Sequence, residues 1–295
     1  MSLVEQALKK LQAARTAEQP QAVRPGAPPA VSAPAPAAVR PPRAPVDPAR
    51  IVPVNRDALR SAGVLPPPTE ERRISQEYRQ IKRPLVANAF GPAALPNGGL
   101  IMLASALPGD GKTFTAVNLS LSLALEKDIQ TLLVDADVAK PHISRLFGVD
   151  SKPGLLDLLR DESLDVESLI LPTEVPGLFI LPAGRPSDTA TELLASSRMQ
   201  TLAARLGASG QDRITLFDSP PLLLTTESRA LASVVGQVVL VVGAGSTPQK
   251  AVLDAIDAIG EGRSISLILN QCDEGASDAY YQNYYGSTTE SPEAK

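Results

Sequence analysis

The chain alternates two hydrophobic patterns over its middle and C-terminal parts. Short apolar runs at 100–104, 130–135, 213–218, 237–242 and 264–270 are too short for helices and read as buried strands. Between them, 113–125, 189–206 and 247–259 repeat apolar residues at helical spacing. The interval 151–183 adds a short helix at GLLDLL and two strand-like pieces, 168–171 and 177–182. Strands alternating with helices predict an α/β fold, a doubly wound and mostly parallel sheet with helices on both faces. No internal repeat is visible.

Towards the ends the pattern changes. Ser2 to Glu5 forms a capping box, and Val4, Leu8 and Leu11 follow at helical spacing, so residues 1–16 read as a short amphipathic helix. Four turns are marginal alone, and the helix docks either on its own domain or on another protein. Residues 17–68 are rich in Pro and Ala with few large apolar side chains, which predicts a disordered linker. Residues 69–90 return to helical periodicity with dense charge, including Arg72, Arg73, Arg79, Lys82 and Arg83. The expected organisation is thus a helix at 1–16, a linker at 17–68, a catalytic domain at 69–272 and a tail at 273–295.

Composition narrows the function classes. With 28 basic and 32 acidic residues in 295, the net charge of −4 gives no bulk attraction to nucleic acid or anionic lipid. The single cysteine, Cys272, cannot form an internal disulfide, which is compatible with a reducing cytoplasm. No apolar run reaches the length of a membrane span, so a membrane role is expected to come through a partner.

The chemistry centres on ASALPGDGKTFT, which follows the strand at 100–104 and opens a helix. It is a phosphate-binding P-loop with Ala106 in place of the usual first glycine. Small residues let backbone N–H groups converge on a polyphosphate, and the helix N-terminus adds its dipole. Pro108, Gly109, Asp110, Gly111, Lys112, Thr113 and Phe114 form the expected nucleotide-binding set for ATP. Lys112 meets the outer phosphates and the Thr113 hydroxyl reaches Mg²⁺.

Acids cluster at strand ends. LLVDAD closes on Asp135 and Asp137, which face one site, and TLFDSPP closes on Asp218. Asp218 fits the acid beside Mg²⁺. Asp135 and Asp137 exceed what a metal alone requires, and one can take a proton from a nucleophile; spacing leaves the division between them open. Tyr280, Tyr281, Tyr284 and Tyr285 are four of the chain's five tyrosines and sit among polar residues, so core packing does not account for them. His142 reads as a surface or structural histidine, and Cys272 as inert. Arg185 and Glu192 flank a helix start and stabilise either it or a neighbour.

The P-loop, LLVDADVAKP, TLFDSPP and the terminal tyrosine cluster together resemble the bacterial tyrosine autokinases, the BY-kinases, of the type associated with exosortase-linked exopolysaccharide operons. MSLVEQALKKL, EYRQIKRPLVANA, PGLLDLL and LPAGRPSDTATELLAS are similar to that subgroup as well. The resemblance implies a protein-tyrosine kinase using ATP and Mg²⁺, with Asp135 as base, Asp137 and Asp218 on the Mg²⁺ waters, and Asn270 at adenine. It also implies a ring-shaped homo-oligomer in which one subunit's tyrosine tail enters its neighbour's site. A membrane-anchored polysaccharide chain-length determinant serves as activator, and the kinase regulates polysaccharide polymerisation and export from the inner face of the membrane.

Two departures stand out. The family's interface motif Glu-x-x-Arg-x-x-Arg reads here Gln76, Arg79 and Lys82, and Ala139 replaces a frequent basic residue before Lys140-Pro141. The alternative is an ATPase of the MinD and ParA type, or a nucleotide-gated scaffold without kinase activity. Such ATPases carry an early lysine in the loop, where this chain has Leu107, Pro108 and Gly109, and they lack the tyrosine cluster.

Overall fold

A computed structural model describes residues 47–208 and 213–272. The expected N-terminal helix, most of the linker and the tyrosine tail lie outside the described residues.

Seven strands form one sheet in the order β3-β4-β2-β5-β1-β6-β7. They are β1 (Leu100–Ser105), β2 (Gln130–Asp135), β3 (Leu171–Pro172), β4 (Leu178–Leu181), β5 (Arg213–Asp218), β6 (Gln237–Gly243) and β7 (Ser264–Asn270). Every pairing is parallel except the short β3 edge, which runs antiparallel to β4. Side chains alternate between two cores. Met102, Leu132, Phe217 and Leu240 enter one, and Ile101, Leu133, Leu216 and Val241 enter the other. Burial on both faces explains why these strands read as continuous apolar runs.

Ten α-helices are described: α1 (Arg56–Ser61), α2 (Glu71–Phe90), α3 (Lys112–Ala124), α4 (His142–Leu146), α5 (Leu155–Arg160), α6 (Val166–Leu169), α7 (Ala190–Leu194), α8 (Ser197–Ala208), α9 (Thr226–Ala232) and α10 (Gln249–Ile259). α2, α3 and α4 cover one face, and α5, α8, α9 and α10 the other. Among the described residues no helix is long and apolar enough to cross a membrane.

Three expectations need correction. The disordered linker does not extend to Pro68: Val52, Val54, Leu59, Val64 and Leu65 are buried, and residues 47–65 run along the α2–α3 face. These apolar residues are spaced irregularly among prolines, so neither helical nor strand periodicity marks them. The expected strand at 168–171 is mostly the one-turn α6, with only Leu171 and Pro172 pairing to β4. The expected continuous helix at 189–206 breaks between α7 and α8.

Candidate functional site

The P-loop hangs from the carboxyl end of β1, an inner strand between β5 and β6. Gly109 and Gly111 both adopt left-handed φ values, 89° and 90°. The second also faces a close approach: a Cβ on Gly111 would lie 1.9 Å from Asn270 Nδ2. Asn270 Nδ2 donates to Asp110 O at 3.0 Å and Gln271 Nε2 to Gly109 O at 2.9 Å, so the end of β7 clamps the loop.

Asp110 is used differently from what the motif implies. Its side chain is buried, accepting from Thr247 Oγ1 at 2.7 Å and from Leu107 N at 3.2 Å. The carboxylate therefore pins the loop's shape, leaving its backbone to face a ligand. Lys112 and Thr113 open α3 beside Asp218. Thr113 Oγ1 donates to Asp218 Oδ2 at 2.9 Å, and Lys112 Nζ lies 3.8 Å from Asp218 Oδ1.

Asp135 and Asp218 are register partners at the ends of adjacent strands. Asp135 is fully buried. One oxygen, Oδ2, accepts from both Ser144 N and Ser144 Oγ at 2.7 Å, while Oδ1 has no hydrogen-bond partner among the described residues. Asp218 Oδ1 is likewise buried and accepts no hydrogen bond there, although the Lys112 ammonium lies 3.8 Å away. Burial pushes the Asp135 carboxyl up to about 7, against the pull of the two Ser144 bonds and with smaller contributions from Asp218 and Asp137. Burial also raises Asp218, opposed by the Lys112 ammonium and the Thr113 bond. Asp137, half-buried in the turn after β2, is raised by desolvation and held back by the N–H of Lys140, at 3.1 Å, and by Lys112. The three carboxylates and Lys112 thus form one coupled group.

Two buried carboxylate oxygens that accept no hydrogen bond, beside a hydroxyl, are a donor set suited to a hard cation. Mg²⁺ is commonly held by one or two carboxylates with substrate phosphates and water completing its shell. Of the residues expected on Mg²⁺, Thr113 and Asp218 meet here, and Asp137 lies near enough to Asp218 to raise its carboxyl.

A cavity of about 540 Å³ opens over the loop. Gly109–Phe114 and Asn270 line it; Pro108, placed in the nucleotide-binding set by its position in the motif, does not, while Gln271, His142 and residues 62–64, the last assigned to the linker by pattern alone, do. Ser144 was also missed. A serine seven residues past Asp137 carries no motif signal; only the packing of α4 against β2 shows its role.

Lys82, third in the altered interface motif, is not presented to a neighbour. It is buried, donating to Ser122 O at 2.6 Å and pairing with Glu126 at 2.6 Å, whereas Gln76 and Arg79 are exposed. The four tail tyrosines lie outside the described residues. The remaining tyrosine, Tyr78, is buried under α3, and burial raises its hydroxyl above the usual range.

No family model matches the chain. It is 37% identical to EpsB of Ralstonia nicotianae over 142 residues, 48% of this chain and 18% of that protein. It is 30% identical to tyrosine-protein kinase YwqD of Bacillus subtilis over 189 residues, 63% of this chain and 77% of that one. The kinase domain of VpsO superposes with a TM-score of 0.57 at 31% identity, over 70% of this chain and all of that domain (100%). The chain thus spans less than a fifth of EpsB but most of YwqD.

Proposed function

Since this chain belongs to the bacterial tyrosine-protein kinase family, we propose that it transfers the terminal phosphoryl group of ATP to tyrosine hydroxyls, its own Tyr280, Tyr281, Tyr284 and Tyr285 among them. The observation that carries this reading is the convergence of Asp135, Asp137 and Asp218 on the Lys112–Thr113 end of the P-loop. A hydrolase would use the same carboxylates on water, and the tyrosine cluster is what supplies a different nucleophile. A base with one free, buried oxygen and a pKa pushed up to about 7 suits a hydroxyl that ordinarily holds its proton to pH ~10.

In the proposed reaction the loop's backbone N–H groups and Lys112 hold the β- and γ-phosphates in line with the incoming tyrosine oxygen. The tyrosine proton passes to Asp135 Oδ1, the oxygen–phosphorus bond forms, the bond to the β-phosphate oxygen breaks, and ADP leaves. Mg²⁺, when bound, neutralises charge on the phosphate oxygens. Thr113, Asp218 and Asp137 are the residues to hold it. Asn270, which lines the cavity and clamps the loop, is the candidate contact for adenine.

The family resemblance extends the proposal. The tail is phosphorylated in trans within a homo-oligomer on the cytoplasmic face of the membrane. A membrane-anchored chain-length determinant recruits and activates the kinase, which then governs exopolysaccharide polymerisation and export.

Incubation with Mg²⁺ and ATP, with and without a co-expressed activator, followed by mass spectrometry of the C-terminal peptide tests this. Phosphate on the tyrosine cluster, lost in Lys112→Met while the fold persists, is the expected result. A tail left unmodified under both conditions, with ATP bound, points instead to a nucleotide-gated scaffold.

A further inference from the structure

Residues 47–65 belong to the proline-rich stretch by composition, yet their C-terminal turn walls the cavity over the P-loop. We propose that this segment is a strap that completes the nucleoside side of the nucleotide site, so that nucleotide binding and strap docking reinforce each other. The proposal rests on the nucleotide-binding reading above.

The strap is anchored far from the site. Arg50 Nη2 donates to Ser168 O at 2.6 Å and Ile170 O at 2.9 Å. Val52 bridges to Thr173, its N–H donating to Pro172 O at 2.8 Å and its carbonyl accepting from Glu174 N at 3.0 Å. Thr173 N in turn donates to Leu178 O, at the amino-terminal end of β4. This anchor sits at the opposite end of the parallel sheet from the P-loop. Between the two ends, Val54 and Leu59 are buried in the core beneath α2 and α3.

At the site end, α1 stops in a cap that its sequence dictates. Gly63 takes φ +72°, with Gly63 N donating to Arg60 O and Val64 N to Leu59 O, the paired bonds of a glycine-terminated helix. The turn is then tied to the P-loop helix through one side chain: Asn118 Nδ2 donates to Val64 O at 2.9 Å and to Phe114 O at 2.7 Å. Asn118 is buried, so neither bond is readily replaced by water.

The division of labour follows from chemistry. Gly109 to Thr113 offer N–H groups, an ammonium and a hydroxyl, which suit phosphates. Ala62, Gly63, Val64 and Phe114 offer backbone and apolar surface, which suits a base and ribose. A ligand touching both groups binds the docked strap more tightly than the undocked one, and by linkage a docked strap binds the ligand more tightly.

Hydrogen exchange on the whole protein with and without ADP and Mg²⁺ tests the coupling. The expected result is slowing by about tenfold at Gly63 and Val64, and also at Ile51, Val52 and Val54, which touch no part of the cavity. A second measurement uses Arg50→Ala/Val52→Ala, which loosens only the remote anchor. Its dissociation constant for a fluorescent ADP analogue should rise by about tenfold with the circular dichroism spectrum unchanged. ADP binding without altered exchange at 51–54, or with wild-type affinity in the double variant, overturns the strap. If the double variant does not fold, the wild-type exchange result decides. Failure of the wild-type protein to bind ADP at all overturns both this inference and the nucleotide-binding reading.

Discussion

Ser144 gives both its backbone N–H and its hydroxyl to the same oxygen of Asp135, each at 2.7 Å, and leaves the other oxygen without a partner. The arrangement fixes the carboxyl's orientation and leaves its other, buried oxygen free of hydrogen bonds. The Ser144 hydroxyl in turn accepts from Ala183 N at 3.0 Å, which ties the strand ends of β2 and β4 together.

Ser144→Ala is expected to act on both. It removes one of the bonds that hold the Asp135 pKa down and orphans the Ala183 N–H, costing roughly 1–3 kcal/mol of stability. The acid limb of the autophosphorylation pH profile should move to higher pH, and the rate at neutral pH should fall by about tenfold. A profile unchanged in position would show that Asp135 is not the base.

Stability of the nucleotide-free protein should fall as pH rises from 4 to 8. In the unfolded chain Asp135 titrates near 3.8, and in the fold near 7, so between these values the native state binds more protons than the unfolded one. Stability from this group is therefore present below the lower value and lost through the upper one, by up to about 4 kcal/mol. Asp137 and Asp218 are raised as well and act in the same direction. Denaturant midpoints across this range provide the check, and Asp135→Asn should flatten the slope.

Gly111→Ala should lower nucleotide affinity by more than tenfold. Its methyl group meets Asn270 Nδ2 at 1.9 Å, and the φ of 90° adds backbone strain of about 1 kcal/mol. Because the clash is with one side chain, Gly111→Ala should cost less affinity when added to Asn270→Ser than when added to the wild type, leaving only the strain. An equal cost in both backgrounds would contradict the clash.

Lys82→Ala should destabilise the fold by about 1–3 kcal/mol, because it orphans Ser122 O at the end of α3. Glu126, partly exposed, can turn to water, which keeps the cost below that of a fully buried pair. The subunit number, measured by light scattering, should not change. A shift to smaller species would place Lys82 in an intersubunit contact after all.

The legible parts of this protein were those whose physics is local. Apolar runs ending in Asp135 and Asp218 mark strands buried on both faces, and the glycine spacing before Lys112 and Thr113 marks a turn that only such residues can make. The departure at Lys82 was visible as a residue type, but its consequence was not. Burial there depends on Ser122 and Glu126, forty or more positions along the chain.

By itself, then, the sequence determined the sheet's principal strands, the phosphate-binding loop and the acids at the strand tips, because backbone period, turn geometry and terminal side chains are set within a few residues. Only the tertiary structure decided that Asp110 braces the loop, that Ser144 orients Asp135 and that Gly63 and Val64 wall the cavity. Each of these roles is a contact between segments distant in the chain or a direction taken by a side chain, and no local pattern of apolar and polar residues encodes either.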